Sequence, residues 1–237
     1  MEWKADALLL RAADYGESDK MVTLLTADRG KIGAAMKGVK KAGAKLRFAA
    51  QPFCFAEYVL AERAGRYTVT SACLHEGFYA IREDVTCYYA ASAVCEACNS
   101  FMYEGIVNGQ MLVSAVTALK EMEAAPERCV FALVRFLLRA LSLAGYPVSA
   151  EDCPACGKQI AGKLYFDLAS GSFFCGDCAV GTPASESTYR TVCAALGKEW
   201  ASSAPDGEKR ALRMLKAYYA YQTEGELSIL GELLRML

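Results

Sequence analysis

Two C-x-x-C pairs carry the clearest chemistry in this chain: Cys153-Pro-Ala-Cys156 and Cys175-Gly-Asp-Cys178, separated by eighteen residues. That spacing is the one expected of a four-cysteine zinc site. Zinc takes four ligands tetrahedrally, and thiolates suit it without redox side reactions. A two-residue spacer lets both sulfurs of a pair turn toward one ion. Gly157 and Gly176 are placed to supply positive φ at the two knuckles. With four thiols and no oxygen or imidazole ligand, the site reads as structural, holding one Zn2+ per chain. The same residues admit another reading, two redox pairs or four buried thiols.

A second chemical feature is electrostatic. From Arg29 to Ala56 there is no Asp or Glu, and the window holds Arg29, Lys31, Lys37, Lys40, Lys41, Lys45 and Arg47. Cations without a counter-charge can hold phosphates along a nucleic-acid backbone, driven by counterion release. Tyr15, Phe48 and Phe53 lie nearby and could stack bases, although strand aromatics more often pack inward. The remaining inventory is negative. The sole histidine is His75, so H-E-x-x-H hydrolase patterns and most imidazole acid–base schemes are excluded. No phosphate-cradling G-x-x-x-x-G-K-[ST] and no G-x-S-x-G occurs, and the cysteines lack the context of a zinc deaminase. The chain is not expected to be an enzyme.

These residues must be positioned by a fold, and the patterning predicts one. Apolar runs at 5–12, 21–26, 31–37, 53–60 and 66–70, broken by Gly-rich turns, predict five short strands closing an OB-fold β-barrel. Gly38 to Lys45 reads as a flexible loop. Helical spacing follows from Phe78 to Phe101 with a break near Asp84, then from Gln110 to Met122, and then from Pro126 along a Val130–Leu141 stripe. Between the cysteine pairs, residues 163–168 and 172–174 read as two strands of a zinc ribbon. Pro183-Ala-Ser185 precedes a further helix, Asp206 is placed to cap another, and Leu227 to Leu237 is a final amphipathic segment packing on the helical body. The expected class is α+β multidomain: an OB barrel (1–75), a helical domain (76–149) with an inserted four-cysteine ribbon (150–182), and C-terminal helices (183–237). Cys95 and Cys98 also make a C-x-x-C, inside a helical run, and read as core thiols. Arg128, Arg135 and Arg139 share one side of their helix, either as a solvated face or as an anion-binding partner surface.

Composition bounds the rest. The chain of 237 residues is 54% hydrophobic and 22% charged with net charge -1, so bulk charge predicts no partner. The first eighty residues carry net +3 and the remainder -4. Eleven cysteines, an odd number set mostly in apolar context, fit a reducing cytosol better than a disulfide framework. No run is long and apolar enough to span a bilayer.

The order of parts resembles the bacterial RecO family of recombination mediators. The resemblance rests on Asp14-Tyr-Gly-Glu-Ser-Asp-Lys-Met-Val-Thr-Leu-Leu-Thr26, on Arg29-Gly-Lys31, on the basic loop Gly38-Val-Lys-Lys41, and on Gln51-Pro-Phe53 and Arg82-Glu-Asp84. The cysteine quartet is similar to that of the family's zinc-bearing branch. It spans nearly the whole chain, more weakly after residue 183. The resemblance implies a non-enzymatic, cytoplasmic, nucleoid-associated protein of DNA repair and recombination. Such a protein binds single- and double-stranded DNA, anneals complementary strands, engages single-strand-binding protein, and with RecR helps load RecA. It places the DNA role on Lys37, Lys40, Lys41, Lys45 and Arg47, with Arg29 and Lys31 supporting, and metal on the four cysteines. The loop here is lysine-rich where the family favours arginine, which keeps charge but loses bidentate geometry. Two other readings remain: a zinc-ribbon adaptor that binds only protein, and a redox sensor using Cys95 and Cys98 or the ribbon thiols.

Overall fold

The computed structural model describes residues 2–199 and 201–237. Five strands form the N-terminal part: β1 (Glu2–Tyr15), β2 (Asp19–Thr26), β3 (Gly30–Met36), β4 (Phe55–Arg63) and β5 (Arg66–Glu76). They close in the order β1-β2-β3-β5-β4, with β4 returning to β1. Closure is made by one parallel pair, Ala34 beside Tyr67 and Ala35 beside Thr68. This is the OB arrangement, in which a closed sheet leaves no free edge. The strands run past their apolar centres. β1 is fourteen residues long where eight were expected, because its polar ends pair with β4 and β2.

Alternation explains the barrel interior. Ala5, Ala7 and Leu9 point inward from β1, Val22 and Leu24 from β2, and Ile32, Ala34 and Met36 from β3. Tyr58 is fully buried, and its hydroxyl donates to the Ala49 carbonyl at 2.9 Å. That bond ties β4 to the 3-10 turn Phe48–Ala50, whose Ala49 and Ala50 join the barrel core. Leu8 and Leu25 point the opposite way yet are equally buried, because they belong to the core of the helical body. A strand covered on both faces reads as an unbroken apolar run, as Ala7-Leu-Leu-Leu10 does.

The helical body begins with a 3-10 turn at Ala80–Glu83, followed by α1 (Val85–Phe101), α2 (Gly109–Ala124) and α3 (Cys129–Leu143). The break near Asp84 is a cap: the Cys87 N–H donates to Asp84 Oδ1 at 2.7 Å. Small buried residues, Ala90, Ala91, Ala93, Val94 and Ala97, surround α1 and make it the buried centre. β6 (Leu164–Asp167), β7 (Ser172–Cys175) and β8 (Thr182–Ala184) form a sheet in the order β7-β6-β8. α4 (Glu186–Ala195), α5 (Pro205–Thr223) and α6 (Ser228–Met236) close the body.

The helix expected after Pro183-Ala-Ser185 is α4, capped by Ser185, whose hydroxyl accepts from the Thr188 N–H at 3.2 Å; Pro183 itself lies in the edge strand β8 beside Tyr165, where its missing N–H is tolerated. Two local expectations differ from the structure. Asp206 does not cap α5. Ala204 occupies the cap, Pro205 the first turn, and Asp206 pairs with Arg210 at 3.1 Å. Positive φ at the second knuckle belongs to Ala179, at 51°, not to Gly176. An added Cβ at Gly176 would press on Lys163 at 2.9 Å, so that glycine serves close packing.

α6 docks through one side chain. Glu96 on α1 accepts from the N–H groups of Ser228 at 2.8 Å, Ile229 at 3.0 Å and Leu230 at 3.3 Å. A carboxylate at a helix start satisfies its orphan donors and its dipole together. Leu230 and Leu233 then bury against the body, as the terminal amphipathic pattern predicted. Among the described residues no helix is long and apolar enough to cross a membrane.

Candidate nucleic-acid interface and metal centre

The outer face of β3 presents Lys31, Gly33 and Ala35, alternating with the buried Ile32, Ala34 and Met36, and the exposed Lys37 follows directly after the strand. Around it opens a cleft of about 1330 Å³. One wall is the β4–β5 hairpin with Arg63 and Arg66; the other is the α1–α2 connector at Glu104, Gly105 and Val107. Arg29, Lys31 and Lys37 join the hairpin arginines, so five cations face Asp28 and Glu104. Tyr15, Met21 and Tyr67 supply apolar surface, with Tyr15 63% exposed. In OB folds this face, between the first and last hairpins, is where oligonucleotides bind.

The structure divides the seven cations singled out by sequence. Arg29, Lys31 and Lys37 line the cleft. Lys40, Lys41, Lys45 and Arg47 lie on the neighbouring segment 38–47, outside its lining. That segment is not loose. The Gly38 N–H donates to Asp19 Oδ1 at 2.7 Å, the Lys40 N–H to the Ser18 carbonyl at 2.9 Å, and turn bonds follow through Arg47. The Gly38 N–H, with the Ser18 hydroxyl, holds the Asp19 carboxyl below its usual range. Lys40 also has a counter-charge that sequence order hid. Its ammonium lies 2.7 Å from Asp14, which also faces Lys20 at 3.8 Å. Lys31 donates to the Asn99 carbonyl in the last turn of α1 at 2.6 Å, tying barrel to body. Burial lowers the Lys31 pKa, opposed by the charge of Glu104. The Arg29 guanidinium lies over the Trp3 ring, 3.9 Å from its centroid.

Sequence reasoning missed Arg63 and Arg66. They flank the hairpin turn Ala64-Gly65, and only the closed barrel brings that hairpin beside β3. Their signal was two arginines bracketing a tight turn. Of the three aromatics, Tyr15 is exposed at the cleft, Phe53 is buried against Tyr88 with centroids 5.4 Å apart, and Phe48 packs on the barrel core.

On the helical body, α2 and α3 border a groove of about 550 Å³ that ends at Ala195 and Leu196. Arg135 and Arg139 line it, Arg135 paired with Glu121 and Arg139 donating to Gln110 at 2.7 Å. Arg128 lies apart from that lining, its guanidinium 5.2 Å from the Phe131 ring centroid.

At the ribbon the four sulfurs of Cys153, Cys156, Cys175 and Cys178 lie within 4.8 Å of one another. Each pair is wrapped by a turn, Gly157 N–H to Cys153 carbonyl at 2.8 Å and Ala179 N–H to Cys175 carbonyl at 3.0 Å. The two turns have the same bond pattern, with positive φ at Gly157 and Ala179. Backbone N–H groups, that of Cys175 foremost, bring the Cys153 thiol down to about 6, while the thiols of Cys156 and Cys175 push Cys178 up to about 12. Four thiols so close cannot all ionise unless a cation shares the charge. The cluster can hold one metal ion. Cys95 and Cys98 are buried in α1, and burial pushes the Cys95 thiol up to about 12 and Cys98 upward as well, which keeps both protonated and unreactive.

Fold and surfaces define an OB-barrel protein with a cationic cleft, a helical body and a four-cysteine centre. Residues 1–78 match the family model for Recombination protein O N terminal, and residues 82–228 that for Recombination protein O C terminal. The chain is 34% identical over 183 residues to a DNA repair protein RecO of Anaeromyxobacter dehalogenans, covering 76% of this chain and 72% of that one. It is 30% identical over 237 residues to a DNA repair protein RecO of a Nocardioides species, covering 94% and 96%. The chain belongs to the RecO family, DNA repair proteins that act as recombination mediators rather than as enzymes. Membership implies DNA and RecR as partners in general terms.

Proposed function

We propose that this chain binds single- and double-stranded DNA on its barrel, anneals complementary strands, and with RecR helps load RecA onto DNA coated with single-strand-binding protein. The observation that carries this reading is the cationic cleft on the β3 face. Five cations face two carboxylates there, on the surface OB folds use for oligonucleotides. Lys37, Arg63 and Arg66 reach phosphates directly. Lys41, Lys45, Arg47 and, after exchange with Asp14, Lys40 extend the track along the 38–47 segment. Arg29 and Lys31 support from positions fixed by Trp3 and Asn99.

The ion in the cysteine cluster is one structural zinc. Four thiolates and no open ligand position favour it. The three-stranded sheet already packs Leu164, Phe166 and Phe173 into the core of the helical body, so the ion's part is to fix the two knuckles. The α2–α3 groove takes the acidic, apolar tail of single-strand-binding protein. Arg139 and Arg135 supply charge once Gln110 and Glu121 yield, and Val113, Phe136 and Leu138 supply apolar walls. Arg128 contributes at most from outside that groove. The division into barrel (1–75), helical domain (76–149), ribbon (150–182) and closing helices (183–237), and a cytoplasmic, nucleoid-associated location, are part of the same reading.

The test is annealing of complementary strands coated with single-strand-binding protein, with and without this chain. Acceleration that disappears on combined Lys37→Ala, Arg63→Ala and Arg66→Ala substitution supports the reading. Unchanged annealing and unchanged mobility shifts in that variant would refute the cleft as the DNA site, and no shift of DNA by the unaltered chain would leave only a protein-binding adaptor.

A further inference from the structure

β3 holds two glycines, and only one is explained by the fold. Gly30 has φ of +66°, and a Cβ there would overlap the Ile106 carbonyl, so the α1–α2 connector requires it. Gly33 has neither reason. Its φ lies outside the left-handed range, and a Cβ there would meet nothing within 4 Å. A glycine inside a strand is destabilising relative to alanine. Such a residue marks a place where something outside the chain comes close.

The surroundings of Gly33 say what that is. Its side of β3 continues to Ala35, so roughly 7 Å of pleat between Lys31 and Lys37 is nearly bare. Thr23 and Met21 lie beside it on β2, and Tyr67 and Thr68 beside Ala34 and Ala35 on β5. Tyr15 lines this cleft and is 63% exposed, whereas Tyr67 packs against the barrel core and edge-on to Trp3 at 5.9 Å. Charge is carried on the rims, by Arg63 and Arg66 on one side and Lys37 at the end. A bare apolar floor with aromatic and cationic margins suits unpaired bases laid face down with their phosphates outward. A duplex hides its base faces inside the stack and gains nothing from such a floor.

We infer that Gly33, by keeping this floor open, is the residue that lets the face take the bases of a single strand in preference to a duplex. This rests on the reading of the cleft as the nucleic-acid site. Gly33 and Ala35 admit the bases, Tyr15 is the stacking margin, and Val107 closes the far side.

Gly33→Val tests it. Valine favours strands and meets open space here, so the melting temperature should hold or rise. Affinity for a fluorescently labelled oligothymidylate should fall about tenfold, the scale of one lost base stack. The salt slope should not change, because no cation is touched. Duplex of the same length should lose less than about threefold, having no stack to lose. Ala35→Val reads the same floor two residues on, and serves if Gly33→Val melts early. Unchanged oligothymidylate affinity in both variants, with Lys37→Ala and Arg66→Ala still weakening binding, overturns the inference and leaves the cleft as the DNA site. Equal losses on single strand and duplex overturn the strand preference. If the charge variants also bind normally, it is the reading of the cleft that fails.

Discussion

Replacing Lys37, Arg63 and Arg66 together with alanine should remove three phosphate contacts from the cleft rim while leaving the loop cations in place. Each single-strand contact contributes about 0.7 to the slope of log affinity against log salt. Three contacts therefore flatten the slope by about 2. Between 50 and 200 mM salt, the parent protein should lose about twentyfold more affinity than the triple variant does. Lys40→Ala is the internal control. Its ammonium already faces Asp14 at 2.7 Å, so binding phosphate exchanges one anion for another. It should change the slope by less than half of one contact, about 0.3. Fluorescence anisotropy of a labelled oligothymidylate at five salt concentrations gives all three slopes. Equal flattening from Lys40→Ala and from each rim substitution would refute the distinction between rim and loop. An unchanged slope in the triple variant would refute the placement of the strand in the cleft.

The Asp19 tether predicts a pH dependence. Its folded pKa is depressed below 3.8 by the Gly38 N–H, so the anchoring of segment 38–47 is present above that value and weakens as pH falls through the folded pKa; the Gly38 amide proton should titrate below 3.8, and a titration at or above 3.8 counts against the bond. Glu96→Ala removes the acceptor for three N–H groups of α6 and should destabilise by about 1 kcal/mol, read by thermal melting, with raised amide exchange confined to residues 228–236. Gly30→Ala, at φ of +66° and against the Ile106 backbone, should destabilise by more than about 1 kcal/mol where Gly33→Ala does not; equal melting temperatures would dissolve the contrast. Cys153→Ser should release one zinc per chain by elemental analysis and lower the melting temperature, and full retention of metal would remove that cysteine from the ligand set.

Much of this fold was legible because its signals are local. The cysteine spacing and the five apolar runs each announce themselves within a few residues. The Asp84 break was visible for the same reason, since a cap acts over three positions. What stayed hidden depends on closure. Asp14 and Lys40 are twenty-six residues apart and meet only because the 38–47 segment folds back on the first hairpin. Arg63 and Arg66 become rim residues only once β5 pairs with β3. Lys31 looked like surface charge, and only the docked end of α1 turns it into a tether. β8 was masked by Pro183, whose helix-start signal is equally an edge-strand signal until its neighbour Tyr165 is known.

Leu8 and Leu9 sit side by side on β1 and belong to different interiors, one in the helical mass and one inside the barrel. No seam therefore exists along which the nucleic-acid module could be lifted away intact. Cut free, it would show Leu8, Leu25 and Phe53 to water as a sticky patch. The same arrangement means that the two interiors share one strand: any displacement of β1 moves Leu8 in the helical core and Leu9 in the barrel core together.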